Sequence, residues 1–171
     1  MNIWQKIIFS CLAVIVTLLI YQNDRINAEM EVVKERVANI HKMQIDSSYR
    51  QYVQDFINND FDAIANHFAP PVDFKLYDLT AETNEDVINQ YIKMKANIQQ
   101  GYAYSLIDQI EILKTNDNNF LLCSDYSRYN SDDQLLFQGR THYVYVYVPD
   151  AGWKMNSLDS KDRNAEEFCR L

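Results

Sequence analysis

Glycine and proline are scarce in this chain, three of each among 171 residues. Average usage of the two together is about 12%. The shortage excludes collagen-like repeats and flexible low-complexity linkers. Gly101, Gly139 and Gly152 also lie too far apart for a phosphate-cradling loop, a dinucleotide fingerprint or a nucleophile elbow. Histidine is equally rare. His41, His67 and His142 form no H-E-x-x-H, and no C-x-x-C occurs, so neither metal nor cofactor is expected. No N-x-S/T sequon and no Lys/Arg cluster is present. The formal net charge is −8, and such a surface repels phosphate backbones. Nucleic acid is therefore excluded as an expected partner.

Apolar residues make up 47% and charged residues 23%, the balance of one folded domain. The N-terminus departs from that balance. After Lys6, residues 7–21 read I-I-F-S-C-L-A-V-I-V-T-L-L-I-Y without a charge. Counted from Ile3, with Lys6 snorkelling and Trp4 and Tyr21 at the two interfaces, the run reaches about 28 Å, close to a bilayer's apolar core. Residues 1–28 thus read as a signal anchor or a signal peptide. The anchor is preferred, because Ile26 and Asn27 before Ala28 make a poor cleavage site. Either reading places the C-terminal domain outside the cytoplasm, membrane-anchored through residues 3–21 or secreted after cleavage.

Met30, Val33, Val37 and Ile40 form one apolar stripe, and residues 29–47 read as an amphipathic stalk helix. Ser47 and Ser48 can cap a new helix carrying Tyr49, Tyr52, Val53, Phe56 and Ile57 on one face. Asp60 can cap a short helix that Pro70-Pro71 ends, with a strand from Val72 to Tyr77 after it. Asn84 opens a third helix, stopped by Gly101. The period then changes to two. Residues 102–114, 120–129, 134–148 and 153–158 read as long strands joined by short polar turns, an antiparallel meander. Residues 161–171 form a polar tail.

Three segments carry a resemblance: Y-V-Q-D-F-I-N-N-D-F-D-A-I-A-N-H-F-A-P-P-V-D-F (52–74), E-D-V-I-N-Q-Y-I (85–92) and G-W-K-M-N-S-L-D-S (152–160). With this element order, residues 48–160 resemble the nuclear transport factor 2-like superfamily, also called SnoaL-like or cystatin-like. The resemblance implies an α+β fold: a cone-shaped roll of curved, mostly antiparallel sheet wrapped around about three helices and a pocket, often as a homodimer. It implies no single activity, because the superfamily holds isomerases, cyclases, dehydratases and non-catalytic modules. In its isomerases a carboxylate base stands near the end of the first strand. That position falls nearest Leu76 here, with Asp73 and Asp78 flanking it.

Candidate site residues are few. His142 shares a face with Val144, Val146 and Val148, which reads as inward, where a neutral imidazole can act as a base. Asp125 is a candidate pocket acid on the strand face of Cys123 and Ser127. His67 reads as a helix cap. Tyr143, Tyr145 and Tyr147 form a stripe, read as an interaction face or as cross-strand packing. Cys123 and Cys169 can pair in an oxidising compartment, although unpaired thiols are the preferred reading. The leading expectation is a membrane-anchored, non-catalytic binding or assembly module. Its partner is a protein or a small apolar ligand. The alternative is an isomerase, dehydratase or cyclase working in the cone pocket.

Overall fold

The computed structural model describes residues 3–164 and 167–169, and for residues 5–14 the backbone alone. The chain divides into two compact units after Ile40.

In the first unit, residues 3–40 are helical throughout, the opening part of α1 (Ile3–Asn58). Its stripe of Met30, Val33, Val37 and Ile40 is exposed. Among the described residues no helix is long and apolar enough to cross a membrane. The expected membrane segment, residues 3–21, falls largely on residues 5–14, whose side chains lie outside the described residues.

In the second unit α1 continues unbroken through Ser47 and Ser48. No glycine or proline interrupts it, and a serine hydroxyl alone does not end a helix. The expected start at Ser48 is therefore corrected. Ile45, upstream of it, is fully buried in the same core as Tyr49, Tyr52, Val53 and Phe56. Asn59 ends α1 in the left-handed region at φ 58°, and the Asp60 N–H donates to the Asp55 carbonyl at 3.0 Å.

The Asp60 carboxylate caps α2 (Phe61–Asn66) through the Ala63 N–H at 3.0 Å. The first strand, β1 (Phe68–Phe74), starts four residues earlier than the alternation predicts and contains Pro70 and Pro71. Its parallel pairing with β6 (Gly152–Lys161) shifts register between Phe68 and Asp73, so the two missing N–H groups fall where the ladder is already interrupted. A 3₁₀ turn (Lys75–Tyr77) leads to β2 (Leu79–Ala81), a strand of three residues inside the expected polar loop. Thr83, not Asn84, caps α3 (Asn84–Ala96) in a reciprocal box with Asp86, and the helix stops before Gly101.

Four strands follow much as the period-two pattern predicts, in β3 (Tyr102–Lys114), β4 (Asn119–Asn130), β5 (Leu135–Val148) and β6. The sheet order is β2-β1-β6-β5-β4-β3, antiparallel except for β1 beside β6. The result is an α+β domain on one curved mixed sheet. The core lies between the inner face of the sheet and α1, α2 and α3.

Candidate functional site

Directly paired strand residues share a sheet face, so register decides what lines the inside. On β4 the inward set is Phe120, Leu122, Ser124, Tyr126 and Arg128; Leu122 stands opposite Tyr143, and Phe120 opposite Tyr145. Tyr143 and Tyr145 are therefore buried. This corrects the expected interaction face, of which only Tyr147 is exposed. For Tyr143 the physical reason is that a phenol can be buried when its hydroxyl is satisfied. The Tyr52 hydroxyl lies 2.8 Å from that of Tyr91 and 3.4 Å from that of Tyr143. Burial pushes the Tyr49 phenol up to about 12, and holds Tyr52, Tyr91, Tyr143 and Tyr145 well above the ordinary tyrosine range. These groups stay protonated and do not serve as bases.

Beside this network lies a cavity of about 200 Å³. Tyr49, Tyr52, Val53 and Phe56 of α1 form one side. Leu76 and Tyr77 come from the 3₁₀ turn, and Met94 from α3. Tyr126, Arg128, Phe137 and Tyr143 come from the sheet. Among the described lining residues there is no carboxylate and no histidine. Leu76 lines the cavity near where an isomerase-type base is expected, while Asp73 and Asp78 are exposed and outside the lining. Gly139 makes the sheet side possible. A Cβ there would sit 2.6 Å from the Tyr126 ring and 2.7 Å from Phe137.

Both weak catalytic candidates fall on the other face. His142 is directly opposite Cys123, so the valine face that carries it points outward. The His142 Nε2–H donates to the Phe168 carbonyl at 3.3 Å. Burial lowers its imidazole below the ordinary range. Asp125 is buried on the same outer face and accepts from Arg140 Nε at 2.7 Å and Nη2 at 3.1 Å. Arg163 adds a bond to Asp108 at 2.8 Å. The tail crosses these residues. The Arg140 guanidinium lies 4.9 Å from the Phe168 ring, and Cys169 is joined to Cys123 by a disulfide with the Cα atoms 5.6 Å apart. The preferred reading of unpaired thiols is thereby corrected. Asp125, Arg140, His142 and the disulfide fasten the tail to the sheet, away from the cavity.

His67 is the C-cap residue of α2 through its backbone N–H, which donates to the Ile64 carbonyl at 3.0 Å, while its ring makes side-chain bonds. Its Nδ1 is 3.3 Å from Ser48 Oγ and its Nε2 2.8 Å from Asp55 Oδ2. A serine, a histidine and a carboxylate in a row suggest a nucleophilic relay. However, Ser48 lies inside α1, where flanking N–H groups are committed to helix bonds and offer no oxyanion donors. The chain instead ties α1 to the end of α2.

Sequence reasoning missed Arg128. Its guanidinium lies 5.0 Å from the Tyr126 ring, 5.5 Å from Phe137 and 5.7 Å from Phe56. The available signal was parity: Arg128 is the one charged residue on the face of β4 that carries Phe120, Leu122 and Tyr126.

The family description "NTF2-like protein (DUF6841)" matches residues 42–163. The chain belongs to this NTF2-like family. Solved structures agree on the fold. Aln2 from a Streptomyces species superposes with a TM-score of 0.57 at 12% identity, over 70% of this chain and 88% of its own. A Nostoc punctiforme protein with a cystatin-like fold gives 0.60 at 13%, over 72% and 92%. A Catenulispora acidiphila protein in complex with S-DNPA gives 0.54 at 11%, over 68% and 88%. No curated protein matches the chain. At these identities the NTF2-like likeness concerns the fold alone.

Proposed function

We propose that this NTF2-like domain is a non-catalytic binding module that holds a small, largely apolar molecule in its inner cavity, anchored to a membrane on the extracytoplasmic side. The carrying observation is the chemistry of the cavity wall. Its rings and aliphatic side chains suit an apolar body, its phenols donate and accept hydrogen bonds, and its described lining holds no carboxylate and no histidine. An isomerase, dehydratase or cyclase in this cavity would have to work without a carboxylate or a histidine from the described wall. The ligand-bearing Catenulispora acidiphila protein supports the idea that the fold accommodates a guest.

Two observations support the location. The uncharged run 7–21 follows a single lysine at the N-terminus. The Cys123–Cys169 disulfide suits an oxidising compartment. The buried Tyr143 and Tyr145 remove the sheet stripe as a protein-docking face, so the cavity and not the tyrosines carries the binding role.

Native mass spectrometry of the purified full chain tests the reading. A co-purified small molecule should appear as a mass adduct and vanish in a folded Val53→Trp variant, which fills the cavity. An adduct that persists in that variant would place the binding elsewhere.

A further inference from the structure

Among the described residues Arg128 and Lys95 are two cations without an anion. Arg128 Nη1 donates to Gln99 Oε1 at 2.9 Å, while its Nε is buried with no partner. Lys95 Nζ donates to the Phe56 carbonyl at 2.8 Å. Both face the same aromatic pair. Lys95 Nζ lies 4.3 Å from the Phe56 ring and 4.5 Å from Tyr102, and the Arg128 guanidinium lies 5.7 and 5.9 Å from the same two rings. Neither takes part in any ion pair among the described residues, in a chain with 24 acidic residues against 16 basic ones. Burial, with Arg128 nearby, pulls the Lys95 ammonium down to about 8. Two like charges brought together and partly desolvated are unfavourable unless something negative joins them.

The same fold shows what fits such a fork. On the outer face Arg140 presents its Nε–Nη2 edge to the two oxygens of Asp125 at 2.7 and 3.1 Å. Arg128 has its Nε buried without a partner, on a residue that lines the cavity. A planar guanidinium edge matches a carboxylate with two parallel hydrogen bonds. The surrounding rings of Phe56, Tyr126 and Phe137 exclude water and hold the fork in place.

We propose that Arg128 is a carboxylate-recognition subsite, so that the cavity takes a monocarboxylate on a small aryl or alkyl body, with Lys95 adding positive potential beside it. This rests on the reading of the cavity as a binding site. The carboxylate comes from the ligand and replaces the acidic residue that the inner face lacks.

Phenylacetate and phenylacetamide have nearly the same shape and differ in charge. Titrating each into the full chain by calorimetry separates the two claims. Phenylacetate should bind at least about tenfold more tightly, the scale of a charged hydrogen-bond pair. Arg128→Met should bring the ratio of the two affinities close to one, and Arg128→Lys, which keeps the charge and loses the fork, should lower it. Equal affinity of the wild-type protein for both probes would overturn the carboxylate subsite and leave the cavity reading intact. Binding of neither probe would overturn both. The wild-type ratio needs no variant, so a misfolded Arg128→Met does not blunt the test.

Discussion

The two faces of the sheet solve the same problem, a charged arginine on a strand, in opposite ways. On the outer face Arg140 is closed by Asp125, and the pair is covered by a tail that a disulfide pins down. On the inner face Arg128 is ringed by aromatics and left with an unpaired edge beside a cavity. The outer arrangement is complete without a guest. The inner one is complete only when something anionic enters. The ion pair thus lies on the face away from the cavity, and the unpaired Arg128 Nε belongs to a residue that lines it.

Alkali should attack the inner face first and most strongly. Tyr49, Tyr52, Tyr91, Tyr143 and Tyr145 all have raised folded-state values, so the unfolded chain loses its phenol protons at lower pH than the folded one. Their contribution is fully present below about pH 10 and lost as pH rises past it. Each of the five adds to that loss, so the dependence on pH is steeper than a single phenol would give. Urea unfolding followed from pH 8 to 11 should show the midpoint falling steeply above pH 10. A flat profile would mean the hydroxyl network is not closed to solvent.

Breaking the outer face should cost somewhat less. Asp125→Ala leaves Arg140 buried without its carboxylate and should lower stability by about 3–5 kcal/mol, read from urea midpoints. By contrast Arg128→Met loses a hydrogen bond to Gln99 but breaks no ion pair among the described residues, and should shift the midpoint less than Asp125→Ala. Equal losses in the two variants would erase the distinction between the faces. Replacing both Cys123 and Cys169 by serine opens a loop with a sequence separation of 46 and should cost about 2–4 kcal/mol, while phenylacetate affinity stays unchanged. Gly139→Ala forces the Tyr126 and Phe137 rings off its new methyl, and should cost about 1–3 kcal/mol. Because both rings line the cavity, this last change should weaken ligand binding, unlike the cysteine pair.

The sequence carries the layout of the sheet further than the identity of its inner face. Strands β3 to β6 are legible because the turns between them are short and polar and the alternation is long. The alternation in T-H-Y-V-Y-V-Y-V is legible too, but not its sense. Valine is the more apolar residue, so the valine face reads as inward. The tyrosine face wins because the Tyr143 ring packs on Tyr49 and Tyr52 of α1 and its hydroxyl lies within bonding distance of Tyr52. That reversal carries His142 out of the pocket. β2 is not legible because three residues show too little of a period. β1 reads short because two prolines usually end an element, and only its partner strand shows that the ladder skips them. The boundary at Ser48 fails because a capping side chain without a breaker does not stop a helix. The role of Arg128 needs three dimensions, since Phe56, Tyr102, Tyr126 and Phe137 come from four separate elements.

The contrast between the two arginines is open to one spectrum. Their Nε–H groups can be followed together by nitrogen–proton correlation NMR of the arginine-labelled full chain during titration with phenylacetate. The Arg128 Nε–H resonance should move as its unpaired donor gains a carboxylate, while that of Arg140, already bonded to Asp125, should stay in place. A still Arg128 resonance with phenylacetate bound, or a shift confined to Arg140, would contradict the division of labour between the faces.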